Sequence, residues 1–144
     1  MAHATRADIE AIYGARHLET LIPIDVDGDI AVARALSAAS ATVDSYLSLR
    51  YRLPLPFVPD VVRDWTIDIA CWKIAPADAR LTEEITNRAK AAMAMLKDIG
   101  AGKAQIAELE ASGAGIGPAP GQDGAVTEGA SFVAESRRQW ELLR

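Results

Sequence analysis

The sequence predicts an all-α fold: a small bundle of about four to five helices, then a flexible Gly/Pro-rich linker and a C-terminal tail. Three observations predict it. Apolar residues recur at i+3 and i+4 steps through two long segments, one ending near Arg50 and one opening near Thr82. Between them Pro54, Pro56 and Pro59 punctuate an elbow that leads into a stretch with very little polar surface, Asp60 to Ala75. Proline removes an amide donor and biases the residue before it away from helical angles, so this spacing fixes a rigid reversal. No segment sustains a period of two, so no substantial sheet is expected; at most, Ser131–Glu135 is extended.

Thr5 reads as the N-cap of a first short helix, with Asp8 in its first turn and Gly14 placed to end it. A second short turn, His17–Leu21, is stopped by Pro23. Asp29 is placed to cap the next helix, from about Ile30 to Arg50. Its inward positions are Val32, Leu36, Ala39, Val43, Tyr46 or Leu47, and Arg50. The many alanines there let helix axes approach closely. After the elbow, Val58, Val62, Trp65, Ile69 and Trp72 draw one face of the following helix. Val61, Ile67 and Ile74 add a second, so this helix is expected at the centre of the domain, and Ala75-Pro76 ends it. Thr82 is the N-cap expected for the last helix, with Glu83 and Glu84 at the positive end of its dipole. Ile85, Ala89, Ala92, Leu96 and Ile99 form a narrow seam, closed by Gly100 and Gly102. The expected structural core is Val43, Leu47, Val62, Trp65, Ile69, Trp72, Ile85 and Leu96.

The helical domain is assigned to residues 1–104, a flexible linker to 105–130 and a docking tail to 131–144. Within the linker, residues 112–130 hold six glycines and two prolines, too entropic a composition to pack alone. The tail is short and amphipathic. Its candidate partner interface is Phe132, Val133, Arg137, Arg138, Trp140, Leu142 and Leu143, aromatic and arginine anchors of the kind that dominate protein interfaces.

A chain of 144 residues suits one domain with a real core. Half of it is hydrophobic, yet no apolar run approaches the ~20 residues that span a bilayer, so no membrane partner is expected. The N-terminus lacks the apolar region of a secretory signal. Cys71 is the only cysteine, which excludes an internal disulfide framework and fits a reducing cytoplasm; inside an apolar helix it reads as a buried structural thiol. A formal charge of −5 argues against a protein that grips nucleic acid, without forbidding one that DNA merely passes.

Motifs that would carry chemistry fail individually. Asp25-Val26-Asp27-Gly28-Asp29 resembles a calcium loop, but its glycine comes too early and Leu36 stands where the late bidentate carboxylate belongs. Gly100-Ala101-Gly102-Lys103-Ala104 lacks the spacing and hydroxyl of a phosphate loop, and Gly113–Gly117 reads as linker. Pro56-Phe57-Val58-Pro59 is formally a PxxP segment, better explained by inter-helix geometry. His3 and His17 are the only histidines and lie far from Cys71 in sequence, which suggests neither a triad nor a multi-histidine metal site. Asp64 and Asp68, one turn apart, border the apolar helix, where Asp68 can pair with Arg50, Arg63 or another arginine. No catalytic residue, metal site or cofactor is expected, and the chain does not read as an enzyme.

One ordered set of motifs does carry a family resemblance. Thr5-Arg6-Ala7-Asp8, the acidic turn Asp25–Asp29, the run Asp44-Ser45-Tyr46-Leu47 with Arg50-Tyr51, Leu53-Pro54-Leu55 and Val58-Pro59, and Asp68-Ile69-Ala70-Cys71-Trp72 together resemble the Mu-like prophage head–tail connector family, long known only as a domain of unknown function. The resemblance covers roughly residues 4–104. Cys71-Trp72 stands where that family usually carries Arg-Tyr. It implies a structural virion protein: an adaptor, or head-completion, ring component between the portal protein and the tail-side neck or stopper protein of a tailed phage or phage-like particle. It also implies neighbouring copies in a ring of twelve, a place in the virion neck after synthesis in the host cytoplasm, and DNA passing through the channel without sequence-specific binding. The alternative from another class is a small helical regulatory or ligand-binding module of the antitoxin or transcription-regulator type, which a basic recognition helix would support.

Overall fold

Helix signals near the N-terminus are local and strong, and the computed structural model, which describes residues 2–75 and 82–116, realises them closely. Among these residues the chain forms α1 (Arg6–Tyr13), α2 (Ala15–Leu21), α3 (Gly28–Leu47), α4 (Asp60–Ile74), α5 (Glu83–Gly100) and α6 (Ala107–Ala111). Thr5 and Asp8 form a reciprocal capping box that satisfies the first free amides of α1. Gly14, at φ 84°, ends α1 and opens α2 in one residue, a backbone angle that side chains with a Cβ resist. Thr82 caps α5 through its hydroxyl, which accepts from the Ile85 amide.

Two boundaries differ from expectation. Asp27, not Asp29, caps α3: its carboxylate accepts from the amides of Asp29 and Ile30, so the helix starts at Gly28. Asp29 instead pairs with Arg6 across the α1–α3 junction. At the other end α3 stops at Leu47, three residues before Arg50, because the chain must turn into the proline elbow, where Leu53–Pro54 is cis.

α3, α4 and α5 make the bundle, and α1–α2 lie across it. The α5 seam is buried at Ile85, Ala89, Ala92, Leu96 and Ile99. On α3, Val32, Leu36, Ala39, Val43 and Leu47 are buried in the same core. Of the eight core residues chosen from the sequence, Val43, Leu47, Val62, Ile69, Ile85 and Leu96 are buried, and Trp65 packs half-buried against them. Trp72 is a correction: it is 44 % exposed. At about 100° per residue, the side chains of Val62, Thr66, Ile67, Ala70 and Ile74 define the inward face of α4, and the Trp65–Trp72 stripe falls on its edge. Ala70 stands at the centre of that face, and Ile67, which the periodicity puts on a secondary face, is fully buried within it.

The structure also departs from the expected linker, because residues 105–116 are packed. Ile106, Leu109 and Ala114 are buried. The Ile106 amide donates to the buried Tyr51 hydroxyl at 2.7 Å, and Arg50 reaches Glu110 at 3.0 Å and Gln105 at 3.2 Å. An antiparallel bridge between Tyr51 and Gly115 completes the joint. The physical reason is specific: Arg50-Tyr51 supplies a charge and a hydroxyl that α6 satisfies. The rest of the linker and the whole tail, with Phe132, Val133, Arg137, Arg138, Trp140, Leu142 and Leu143, lie outside the described residues, as does the possible extended run 131–135.

Candidate partner-binding surface

Polar clusters inside the fold come first, because they are where chemistry would be expected. Asp68 on α4 accepts from the Tyr13 hydroxyl at 2.8 Å and pairs with Arg88 of α5 at 3.1 Å. The Arg88 guanidinium lies 5.0 Å from the centre of the Tyr13 ring, which stacks on His17. The paired partner of Asp68 is thus an arginine other than Arg50 or Arg63; Arg63 bonds Asp60 in its own first turn. Burial and the Asp68 bond push the Tyr13 phenol far above its ordinary range, so it stays a neutral donor. Burial likewise raises the neighbouring Cys71 thiol to about 12, which removes its thiolate at neutral pH. The group is a three-helix clamp between α1, α4 and α5.

A second tie is one the sequence reading missed. The His3 ring is buried and bonds Asp44 at 2.6 Å, while its backbone amide donates to Ser40. A carboxylate only accepts, so Nε2 is the donor, and among the described residues the buried Nδ1 has no hydrogen-bond partner. This latch holds the chain ahead of α1 along the second half of α3. The available signal was faint: Asp44 stands within the motif that carried the resemblance, but nothing in the sequence places it beside His3.

Two apolar-lined depressions lie near the end of the bundle where α4 finishes. A cleft of about 190 Å³ is lined by Thr42, Ile69, Trp72, Ala89 and Met93, with Lys73 and Lys90 at its margin. An open groove of about 490 Å³ adjoins it and shares Lys73. Val26, Ile30, Ala31, Ala35 and Ile74 give the groove an apolar lining, and Asp25, Asp27, Arg34 and Lys73 carry both signs of charge around it. Ile24 and Val26 in the preceding turn and Ile30 in the first turn of α3 are exposed by 88 %, 47 % and 55 %, apolar surface of the kind that marks contact sites. The acidic turn Asp25–Asp29, set aside as a cation loop, therefore holds a helix cap, an arginine pair and one wall of a groove. Among the described residues, no group of three or more His, Cys, Asp or Glu could hold a metal ion, and no helix is long and apolar enough to cross a membrane.

Comparison with known proteins gives two findings. Residues 3–117 match the family described as Bacteriophage Mu, Gp36, a span that takes in every described helix. Gene product J of Escherichia phage Mu is 35 % identical over 107 residues, covering 72 % of this chain and 74 % of that protein.

Proposed function

The chain belongs to the Bacteriophage Mu Gp36 family, and from that premise we propose that it is a structural protein of a phage or phage-like particle, acting as a head–tail connector. Twelve copies form the adaptor ring on the portal protein and present the opposite side to the tail-side neck protein. The free chain is monomeric or weakly associating, and the ring forms against the portal. The tail, residues 131–144, serves as an assembly element. The observation that carries this reading is the family match over residues 3–117, spanning the whole described bundle.

Three features support it. The interior polar groups are spent on holding helices together, not on a reacting centre. Large apolar side chains are exposed near both ends of the described bundle, Ile24, Ile30 and Trp72 at one and Leu49, Phe57 and Ile116 at the other, as a subunit with neighbours on two sides requires. An acidic chain at −5 lets DNA phosphates pass rather than adhere. Deletion of the gene from an inducible particle producer tests the reading. Expected are filled or leaky heads and separate tails in electron micrographs, with joining restored by the gene in trans. Normal joined particles from the deletion strain would overturn it.

A further inference from the structure

The groove beside Ile30 and the C-terminal tail match each other in size, polarity and charge. We infer that this groove receives residues 131–144 of an adjoining copy, an inference that rests on the connector reading and names the contact between its neighbours. The groove, at about 490 Å³, has room for two or three large side chains, and its lining mixes apolar residues with Asp25, Asp27, Arg34 and Lys73. The tail offers Trp140, Leu142 and Leu143 together with Arg137, Arg138, Glu135 and Glu141. Arg137 and Arg138 can meet Asp25 and Asp27, and Glu135 and Glu141 can meet Arg34 and Lys73, which leaves only the terminal Arg144 without an opposite charge in the groove. A chain with one sign of charge in this position would leave half of them opposed.

Reach permits the arrangement. The last described residue, Ile116, is fixed to Arg50 just beyond the C-terminal end of α3. The groove lies along residues 30–38 of the same helix, about 15–25 Å back along its axis at 1.5 Å per residue. Residues 117–130 span about 20 Å as a coil and at most about 50 Å when extended. At full extension that exceeds the distance to the chain's own groove by about 25 Å or more, which leaves length to cross to an adjoining copy. Each copy then both gives a tail and receives one, a head-to-tail contact of the type that closes into rings. Single contacts of this kind are weak, and repetition around the ring makes them strong.

The test uses purified full-length protein carrying a benzophenone amino acid in place of Trp140. After irradiation, a dimer-sized band should appear, rise with protein concentration, and map by mass spectrometry to residues 23–38 or to Lys73 and Ile74. Ile30→Glu, at an exposed position where folding is not at stake, should cut its yield about fivefold. Asp25→Arg should lower it about threefold, and Arg138→Asp in the same chain should restore it. Cross-links within one chain, cross-links elsewhere on the surface, or yields indifferent to Ile30→Glu would overturn the inference. Those results leave the connector reading standing, since that depends on the deletion phenotype; joined particles without the gene would remove the connector while the cross-links still judged the groove.

Discussion

Replacing Trp72 separates a core residue from a surface anchor. A fully buried tryptophan takes about 150–250 Å² out of water. With 44 % of Trp72 exposed, the buried share is about 85–140 Å², or about 2–3.5 kcal/mol at 25 cal/mol/Å². An extended reference chain overstates burial by about 10–40 %, and alanine keeps part of the contact, so Trp72→Ala should cost about 1.5–2.5 kcal/mol. A core tryptophan would cost about 3–5 kcal/mol, and Leu96→Ala, at a fully buried position on α5, sets the internal scale at about 2–5 kcal/mol. The sharper substitution is Trp72→Lys. At a half-exposed edge the lysine stem lies along Met93 and Ala89 while its amine reaches water, so the cost stays near that of alanine. In a core it would bury a charge and unfold the domain. Urea denaturation of the full-length variants, followed by circular dichroism with m-values compared, measures all three. Trp72→Lys costing more than about 4 kcal/mol, or Trp72→Ala costing more than Leu96→Ala, would refute the edge assignment and return Trp72 to the core.

Other outcomes follow from the polar ties. Asp68→Ala leaves the Tyr13 hydroxyl and Arg88 without their acceptor; because Arg88 is 40 % exposed and can turn to water, the expected loss is about 2 kcal/mol by urea titration, and a neutral result would dissolve the clamp. Cys71, with its thiol raised to about 12 by burial, should resist Ellman's reagent at pH 8 in native protein and react at once in denaturant. Thr5→Ala breaks the capping box and should cost about 1 kcal/mol near pH 7. The Thr5 hydroxyl and amide hold Asp8 below the ordinary carboxylate range, so its contribution is present above the unfolded-state value near 4 and is lost as pH falls through the folded one. The gap between wild type and Thr5→Ala should therefore narrow below about pH 4; a gap that widened there would exclude the Asp8 linkage.

What the sequence made legible was whatever depends on neighbours in the chain. The capping box at Thr5, the cap at Thr82 and the α5 seam are all set by spacings of three and four residues, and the structure follows them. The errors share a cause as well. Asp27 and Asp29 both had the chemistry of a cap, and the choice falls to Asp27 because Asp29 is drawn to Arg6, a partner 23 residues away in sequence. Trp65 and Trp72 share a stripe, but how far round α4 the bundle wraps depends on α3 and α5, which no local pattern records. The same holds for α6. Its five residues with two glutamates look like the start of a linker until Arg50 and Tyr51, more than fifty residues earlier, are placed beside them. Burial of a long-range partner is the information that composition lacks.

That distribution of contacts bears on function. The ties that fix the N-terminal segment and α6 lie along the second half of α3 and just beyond it: Ser40 and Asp44 hold His3, and Arg50 and Tyr51 hold residues 105–115. The groove lies along its first half and on the end of α4, and the Trp72 cleft takes in Thr42 of its second half. Among the described residues, Asp44, Arg50 and Tyr51 are tied at the C-terminal side of α3, while Ile30 and Trp72, towards the other end, are half-exposed. The Tyr13–Asp68–Arg88 clamp stands between the two ends and ties α1 to both helices that carry the Trp72 cleft. On this argument Asp68→Ala should weaken joining of heads to tails more than its stability loss alone accounts for, because it loosens the support under Trp72 without touching the surface itself. Joined-particle yield that merely tracked folded protein would reduce the clamp to a stability element.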